Sequence, residues 1–433
     1  MPELTTFIYI IVTVGTIWLG VRVYGRWINH ITIYGVVWGT QIILYQLRLI
    51  KYPDLSLETT VLIFGAWAIF VISSLTIRNF YSAKEAPIEK PRKANSRLIT
   101  IVLTGLIVVG TIGTLQHWMV LIRTFGGVKS VIINGNLVYS ALRSESGIPG
   151  MWPYIDSVTL SADFFGGYFA GLRQRPVLLG IVPIFVELAE AISGFGRARL
   201  VIGTVLWGSA FFLPHLKRAK MGRHGLIKRA ILITLIITIF AFGMEFVRSF
   251  RGARETFSGE TTALSHVRGI GFITPSIYLY LSSDVAVLNK FLDYEFAGKV
   301  EHTPVGGNTL GPFFRFFAKF GIVDPMPAYQ KFYAVPVGTN TGSYLRELYA
   351  DWGILGTLVA VYLLGALTSW AFEVYHRKKT LVSLAFLSHL YVVVFFSFAV
   401  QGTSVTYWLI SLVASMLAAS IVDKPGKDEG WHG

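Results

Sequence analysis

The sequence predicts an all-α polytopic integral membrane protein of about eleven transmembrane helices, and three observations carry that prediction. Only 14% of the 433 residues are charged while 53% are hydrophobic, where a soluble domain carries about a quarter charged residues. Apolar runs long enough to cross a bilayer recur along the whole chain, and Lys and Arg concentrate in a few short loops between them. The formal net charge of +14 does not describe a disordered nucleic-acid tail, because such a tail needs polarity to stay solvated. With no cysteine there is no disulfide framework, thiolate metal site or cysteine nucleophile.

A spanning helix needs roughly 17–25 mostly apolar residues. The runs that fit begin with Leu4–Val21, Ile31–Leu47, Leu57–Ile77 and Leu98–Leu121. Tyr154–Leu172, Val177–Ile192, Leu200–Leu216 and Ala230–Phe246 follow, then Gly353–Ala371, Leu381–Ala399 and Ser404–Ile421. The fifth and sixth are the least apolar, since they carry Asp163, Glu187 and Glu190. Met1-Pro2-Glu3 lacks a basic n-region, so the first run reads as an anchor and not a cleaved signal peptide.

Short loops rich in Lys and Arg stay on the cytoplasmic side. The loops Arg78–Arg97 and Lys217–Arg229 each carry such a cluster, and an even number of spans separates them. Arg377-Lys378-Lys379, Arg22 and Arg26 then fall inside as well, with the N-terminus out and the C-terminus in. Two long segments face outward, about 122–153 and 247–352, and the second is where function is expected. The chain therefore reads as one membrane domain, 1–433, with 247–352 a large extracytoplasmic loop. Within it, Leu310–Gly321 places Phe313, Phe316, Phe317 and Phe320 on one helical face after Pro312. That pattern predicts an amphipathic helix in the membrane interface. Ile273–Leu288 is nearly all apolar and predicts a re-entrant helix.

Charge in this large segment is clustered. Val247–Arg254 holds Arg248, Arg251 and Arg254 without an acid, where the eighth run ends. On a continuing helix these three cover about 120° of the circumference and converge. Guanidinium groups bind phosphate oxygens as a planar fork and stay charged when partly dehydrated. Arg197 and Arg199 open the seventh run on the same side. Arginine at outer helix ends runs against the positive-inside bias, so an anionic ligand is favoured over simple headgroup anchoring.

Gly338–Gly353 reads GTNTGSYLRELYADWG. Tyr344, Glu347 and Asp351 share one helical face, and Arg346 and Tyr349 a neighbouring one. Glu347 has a simple account as an acid in a first helical turn. Asp351 enters an apolar run, where a carboxylate costs several kcal/mol unless paired or facing a cavity. Asp163, Glu187 and Glu190 pose the same question, and Glu187 and Glu190 are spaced to pair with Arg197 or Arg199. No two histidines have i, i+4 ligand spacing, so no metal is expected. Gly167 and Gly171 form a small-xxx-small pair suited to helix packing. No phosphate-binding loop, dinucleotide fingerprint or GxSxG elbow is present, and no cofactor is expected.

The run Asn340…Tyr344…Tyr349-Ala350-Asp351-Trp352-Gly353-Ile354-Leu355-Gly356 resembles the signature of Wzy-type oligosaccharide repeat-unit (O-antigen) polymerases. Gly306-Gly307-Asn308-Thr309-Leu310 is similar to the stretch preceding it in that family. Gly196-Arg197 at a span start and the arginines after the eighth run follow the family's order. The resemblance covers roughly 194–371. It implies a metal-independent glycosyltransferase with a GT-C-like helical fold in the bacterial cytoplasmic membrane, facing outward. Donor and acceptor would be undecaprenyl-pyrophosphate-linked glycans, with membrane lipids and a chain-length regulator as further partners and no nucleic acid. On that reading Arg248, Arg251 and Arg254 hold pyrophosphate, and Arg197 and Arg199 support them or form a second pyrophosphate site. Arg346 is a further substrate contact, and Asn340, Tyr344 and Tyr349 bind sugar or order the loop. Asp351 or Glu347 is the first choice of catalytic base and His266 or Glu255 the second. An O-antigen ligase, a lipid-linked glycan flippase and a purely structural subunit of a polysaccharide assembly complex are the alternative readings.

Overall fold

The computed structural model describes residues 2–82, 95–143, 147–174, 177–215, 275–300, 304–324, 331–335, 338–339 and 342–424. These residues are mostly helical. In chain order they form α1 (Pro2–Tyr24), α2 (His30–Gln46), α3 (Leu57–Ser82) and α4 (Ser96–Phe125). Short helices α5 (Val128–Ile133) and α6 (Gly135–Arg143) precede α7 (Val158–Leu172), α8 (Leu178–Ser193) and α9 (Arg197–Phe212). Then come α10 (Pro275–Phe296), α11 (Gly311–Ala318), α12 (Tyr344–Lys378), α13 (Leu381–Phe396) and α14 (Thr406–Val422). The only described sheet is a two-residue antiparallel pair, β1 (Tyr333–Ala334) with β2 (Gly338–Thr339).

Four described helices are long and apolar enough to cross a membrane: Thr6–Tyr24, Leu57–Tyr81, Ser96–Phe125 and Tyr344–Lys378. Their outward faces are apolar and open, as at Phe7, Trp18, Ile112, Met119, Leu355 and Leu363. Exposed hydrophobic surface of that extent has no place in water, and the described residues are those of a mostly helical membrane protein. The expected count of about eleven spans is corrected here. At 1.5 Å per residue, helices such as α7, α8, α9 and α13, of 15 or 16 residues, rise only about 24 Å, against about 30 Å of hydrocarbon. Expected run Ala230–Phe246 lies outside the described residues.

Two apolar cores meet side by side. One joins α4, α7, α9, α13, α14 and the later part of α12, around Phe164, Leu206, Tyr391 and Phe396. The other joins α1, α2, α3 and α10 with the start of α12, around Tyr34, Trp38, Phe70 and Tyr344. Ile33, Val71 and Leu364 pack on both. Gly167 and Gly171 lie against α9, where a methyl on Gly167 would collide with the Trp207 carbonyl. α10 covers most of the Ile273–Leu288 run. It packs against α2 and α3 and buries Ser282, Asp284 and Asn289. Gln41 Nε2 donates to Asp284 at 3.1 Å, Asn289 accepts the Ser56 amide at 2.8 Å, and Tyr52 and Ser282 share a 2.9 Å hydrogen bond. These polar bonds make α10 part of the bundle.

α12 is two helices joined at Gly353, whose φ of 63° and ψ of −169° break the helical path. Only glycine visits that region without strain. The break lets Tyr344–Trp352 turn into the bundle, with Tyr344, Glu347 and Asp351 buried, while Ile354, Leu355 and Val359 face outward. A Cβ at Gly353 would meet nothing within 4 Å. Gly353→Ala therefore isolates the backbone term. It should lower stability by about 1–3 kcal/mol, read as a drop in thermal midpoint of the detergent-solubilised protein without loss of helical content.

Candidate functional site

Asp351 closes the last turn before the kink. Its Oδ1 accepts from the Asn308 amide (3.1 Å) and Asn308 Nδ2 (2.8 Å). Its Oδ2 accepts from the Thr309 amide and the Thr309 hydroxyl, both at 2.6 Å. Trp352 Nε1 donates to Thr309 Oγ1 at 3.1 Å, and its indole lies against Gly306, which sits at φ +80°. The two segments are some forty residues apart in sequence and are clamped by one buried carboxylate. Four donors use both oxygens, so the charge expected to need a partner has several.

Glu347, one turn earlier, accepts the Gln401 amide at 2.8 Å. The Tyr344 amide donates to Ser397 O at 2.9 Å, which satisfies a helix-start donor that Ser343 leaves without a side-chain cap. The Tyr344 hydroxyl pairs with that of Tyr34 at 2.9 Å. Arg346 is buried against Gly342, within electrostatic reach of Glu347, Tyr333 and Asp284. Tyr349 meets the Phe291 ring edge-on at 6.0 Å. Burial raises the Tyr333 phenol above its ordinary range, against an opposing pull from Arg346.

The second constellation surrounds Arg199, in the first turn of α9. Its Nε lies 2.9 Å from Glu187 and its Nη1 is 3.7 Å from Glu190. Nη1 also pairs with Asp156, and Nη2 donates to the Asp156 carbonyl at 3.0 Å. The guanidinium lies over the Tyr407 ring, 5.3 Å from its centre. Of the two pairings expected for Arg199, with Glu187 and with Glu190, the structure contains both. Glu190 is also 2.8 Å from Nδ1 of His117, whose Nε2 is 3.1 Å from Trp152 O and 4.0 Å from Asp156 Oδ1. His117, Asp156 and Glu190 thus bring possible metal-ligand atoms within 4.8 Å of one another. Spacing along the sequence could not reveal this, because the three come from different elements. Arg199 already supplies positive charge to two of them, which disfavours a metal ion there.

The segment after α13 joins the two constellations. Gln401 holds Glu347, Thr403 Oγ1 donates to Thr309 O at 3.1 Å, and Tyr407 lies under Arg199. Arg315 of α11 bonds Ser404 O and Thr406, and Lys319 reaches the Tyr154 hydroxyl at 3.2 Å. Tyr154 stands two residues before Asp156. Phe313, Phe316, Phe317 and Phe320 of the α11 region are exposed, the open apolar face its periodicity predicts. The structure therefore gathers Asp351, Glu347, Tyr344, Arg346, Tyr349 and Arg199 at one end of the bundle. Arg248, Arg251, Arg254, Glu255, His266, Asn340 and the Arg197 side chain lie outside the described residues. Sequence reasoning missed His117, Asp156, Thr309 and Gln401 as partners. For Thr309, its place beside Asn308 in the flagged segment was an available signal.

No family model, curated protein or solved structure matches the chain.

Asp351→Asn removes acceptors and points an amide donor at other donors. The Asn308 and Thr309 amides should then exchange with deuterium at least roughly tenfold faster, since hydrogen bonds to charged groups are worth about 1.5–3 kcal/mol. Arg199→Gln leaves three carboxylates without their cation and should lose about 3–5 kcal/mol, measured as denaturant or thermal stability in detergent.

Proposed function

We propose that the chain is a polymerase that joins undecaprenyl-pyrophosphate-linked oligosaccharide repeat units into a surface polysaccharide. It would act at the outer face of a bacterial cytoplasmic membrane, through a GT-C-like bundle in which the shorter helices sit among the four long ones. One observation carries the reading. The two segments that resemble the Wzy-type family, around Gly306–Leu310 and Tyr349–Gly356, are hydrogen-bonded to each other through Asp351. Sequence separation alone does not require that meeting.

In the reaction a hydroxyl of the newly arrived unit attacks the anomeric carbon of the growing chain. The bond to the pyrophosphate oxygen breaks, the pyrophosphate leaves with the electron pair, and a base takes the hydroxyl proton. Charge develops on the leaving group, where fixed guanidinium groups stabilise the transition state. Arg248, Arg251 and Arg254 are assigned to that task, with Arg346 as a further contact. Arg199, held by three carboxylates, is assigned to support of the helix ends. Asp351, with both oxygens occupied, is assigned to loop order, which leaves Glu347, His266 and Glu255 as candidate bases.

A transporter reading has one observation in its favour, the carboxylate-rich cluster inside the bundle around Arg199. Purified protein in liposomes with a lipid-linked repeat unit separates the readings. A lengthened glycan supports the polymerase, glycan moved to another acceptor indicates a ligase, and substrate that only changes leaflet indicates a flippase. Arg251→Gln, with membrane insertion confirmed, should reduce polymer to single repeat units. Polymer of normal length from that variant would remove the pyrophosphate assignment.

A further inference from the structure

Asp163 has no role in the proposed chemistry and lies deeper in the bundle than the Arg199 cluster. It is fully buried, and neither carboxyl oxygen has a hydrogen-bond partner. It projects from α7 against α9 at Gly203, where any Cβ would collide with Oδ2. Cγ of Glu187 is 3.4 Å from the same Cβ position, so the two acids converge on one glycine. The charged groups around this point are Glu187 and Glu190 of α8, Arg199 of α9, His117 of α4, and Asp156 just before α7. One arginine faces three carboxylates before Asp163 is counted. A fourth ionised carboxylate in this low-dielectric setting, without a donor, is strongly unfavourable, and such a group takes up a proton instead. Its fit against the Gly203 backbone favours a proton over a coordinated or hydrated cation at that oxygen.

We propose that Asp163 is a proton-binding site, held as the neutral acid at neutral pH and facing the Glu187–Arg199 pair across Gly203. The step transfers one proton from hydronium to the Asp163 carboxylate: an O–H bond of hydronium breaks, its electron pair stays on the departing water, and an O–H bond forms on the carboxyl oxygen. Exchange with water runs through the His117 side. From Asp163 the polar groups Glu187, Glu190 and His117 run that way, and an open cleft lined by Gln116, Gly150 and Trp152 lies beside His117. The proposal is independent of the glycosyltransferase reading.

The test is infrared difference spectroscopy on the full-length protein in detergent. At neutral pH the wild type should show the carbonyl stretch of a protonated carboxylic acid, Asp163→Asn should lose it, and Glu187→Gln should shift it. Absence of the band in wild type, or its survival in Asp163→Asn, overturns the proposal. If Asp163→Asn does not fold, the Glu187→Gln spectrum decides, and an unshifted band overturns the proposal. The pH dependence of unfolding gives a second readout. An acid neutral in the folded chain and ionised in the unfolded one makes the folded state bind more protons, so stability falls as pH rises. Wild type should therefore lose stability from neutral to alkaline pH, and Asp163→Asn should lose less. Equal slopes overturn the proposal.

Discussion

A guanidinium group cannot be buried among helices unless carboxylates come with it, and that constraint organises one end of this molecule. Arg199 draws Asp156, Glu187 and Glu190 around itself, and Glu190 draws His117 in turn. The ends of α4, α7, α8 and α9 are thereby fixed to one another, and Tyr407 brings in α14 through its ring. Once α14 is anchored, the segment before it can hold Glu347 and Thr309, and Thr309 can hold Asp351. Removing both partners of a buried ion pair is often tolerated, whereas removing one leaves an uncompensated charge. Here one arginine serves several carboxylates, so the network is asymmetric in that sense.

The kink at Gly353 divides the work of α12. Before it the chain needs polar contacts inside the bundle, and after it an apolar surface that faces lipid. An unbroken helix turns each residue by a fixed angle, so the same sequence could not present both faces where they are required. At the far end of the helix, Glu373 pairs with Arg78 at 2.7 Å and Arg377 bonds Tyr81 O, which ties α12 to α3 again. Asp423 accepts the Leu381 and Val382 amides at 3.0 and 2.9 Å, so the end of α14 caps the start of α13. Carboxylates hold helix ends together at both ends of the bundle.

The long apolar helices were legible because hydropathy over twenty residues is a local property. The α11 periodicity was legible for the same reason, as was the fit of Gly167 and Gly171 to a close helix approach. The span count was not, because α7, α8 and α9 are apolar enough to read as spans but stop short, with acids inside α7 and α8. Whether such a helix crosses depends on its neighbours and not on its own composition. Glu187 and Arg199 were legible as partners because twelve residues and one turn separate them. His117 and Asp156 were not, since tertiary packing alone brings them in. Asp351 was legible as an anomaly, a carboxylate entering an apolar run, but its resolution required a loop whose approach no spacing encodes. The same holds for α10, whose polar residues look costly until Gln41, Tyr52 and Ser56 appear opposite them.

The charge balance at the Arg199 end bears on any anionic substrate. The net charge of the chain is +14, yet the described groups around Arg199 are richer in carboxylates than in cations. A pyrophosphate approaching ionised Asp156, Asp163, Glu187 and Glu190 together would be repelled by them. With Asp163 neutral, and Asp156, Glu187 and Glu190 facing Arg199, that repulsion is reduced without moving any helix. The arginines proposed to meet pyrophosphate, Arg248, Arg251 and Arg254, are a different set from Arg199. On the proposed reading scaffold and substrate draw on different arginines, because a guanidinium already bonded to carboxylates has few donors left for phosphate.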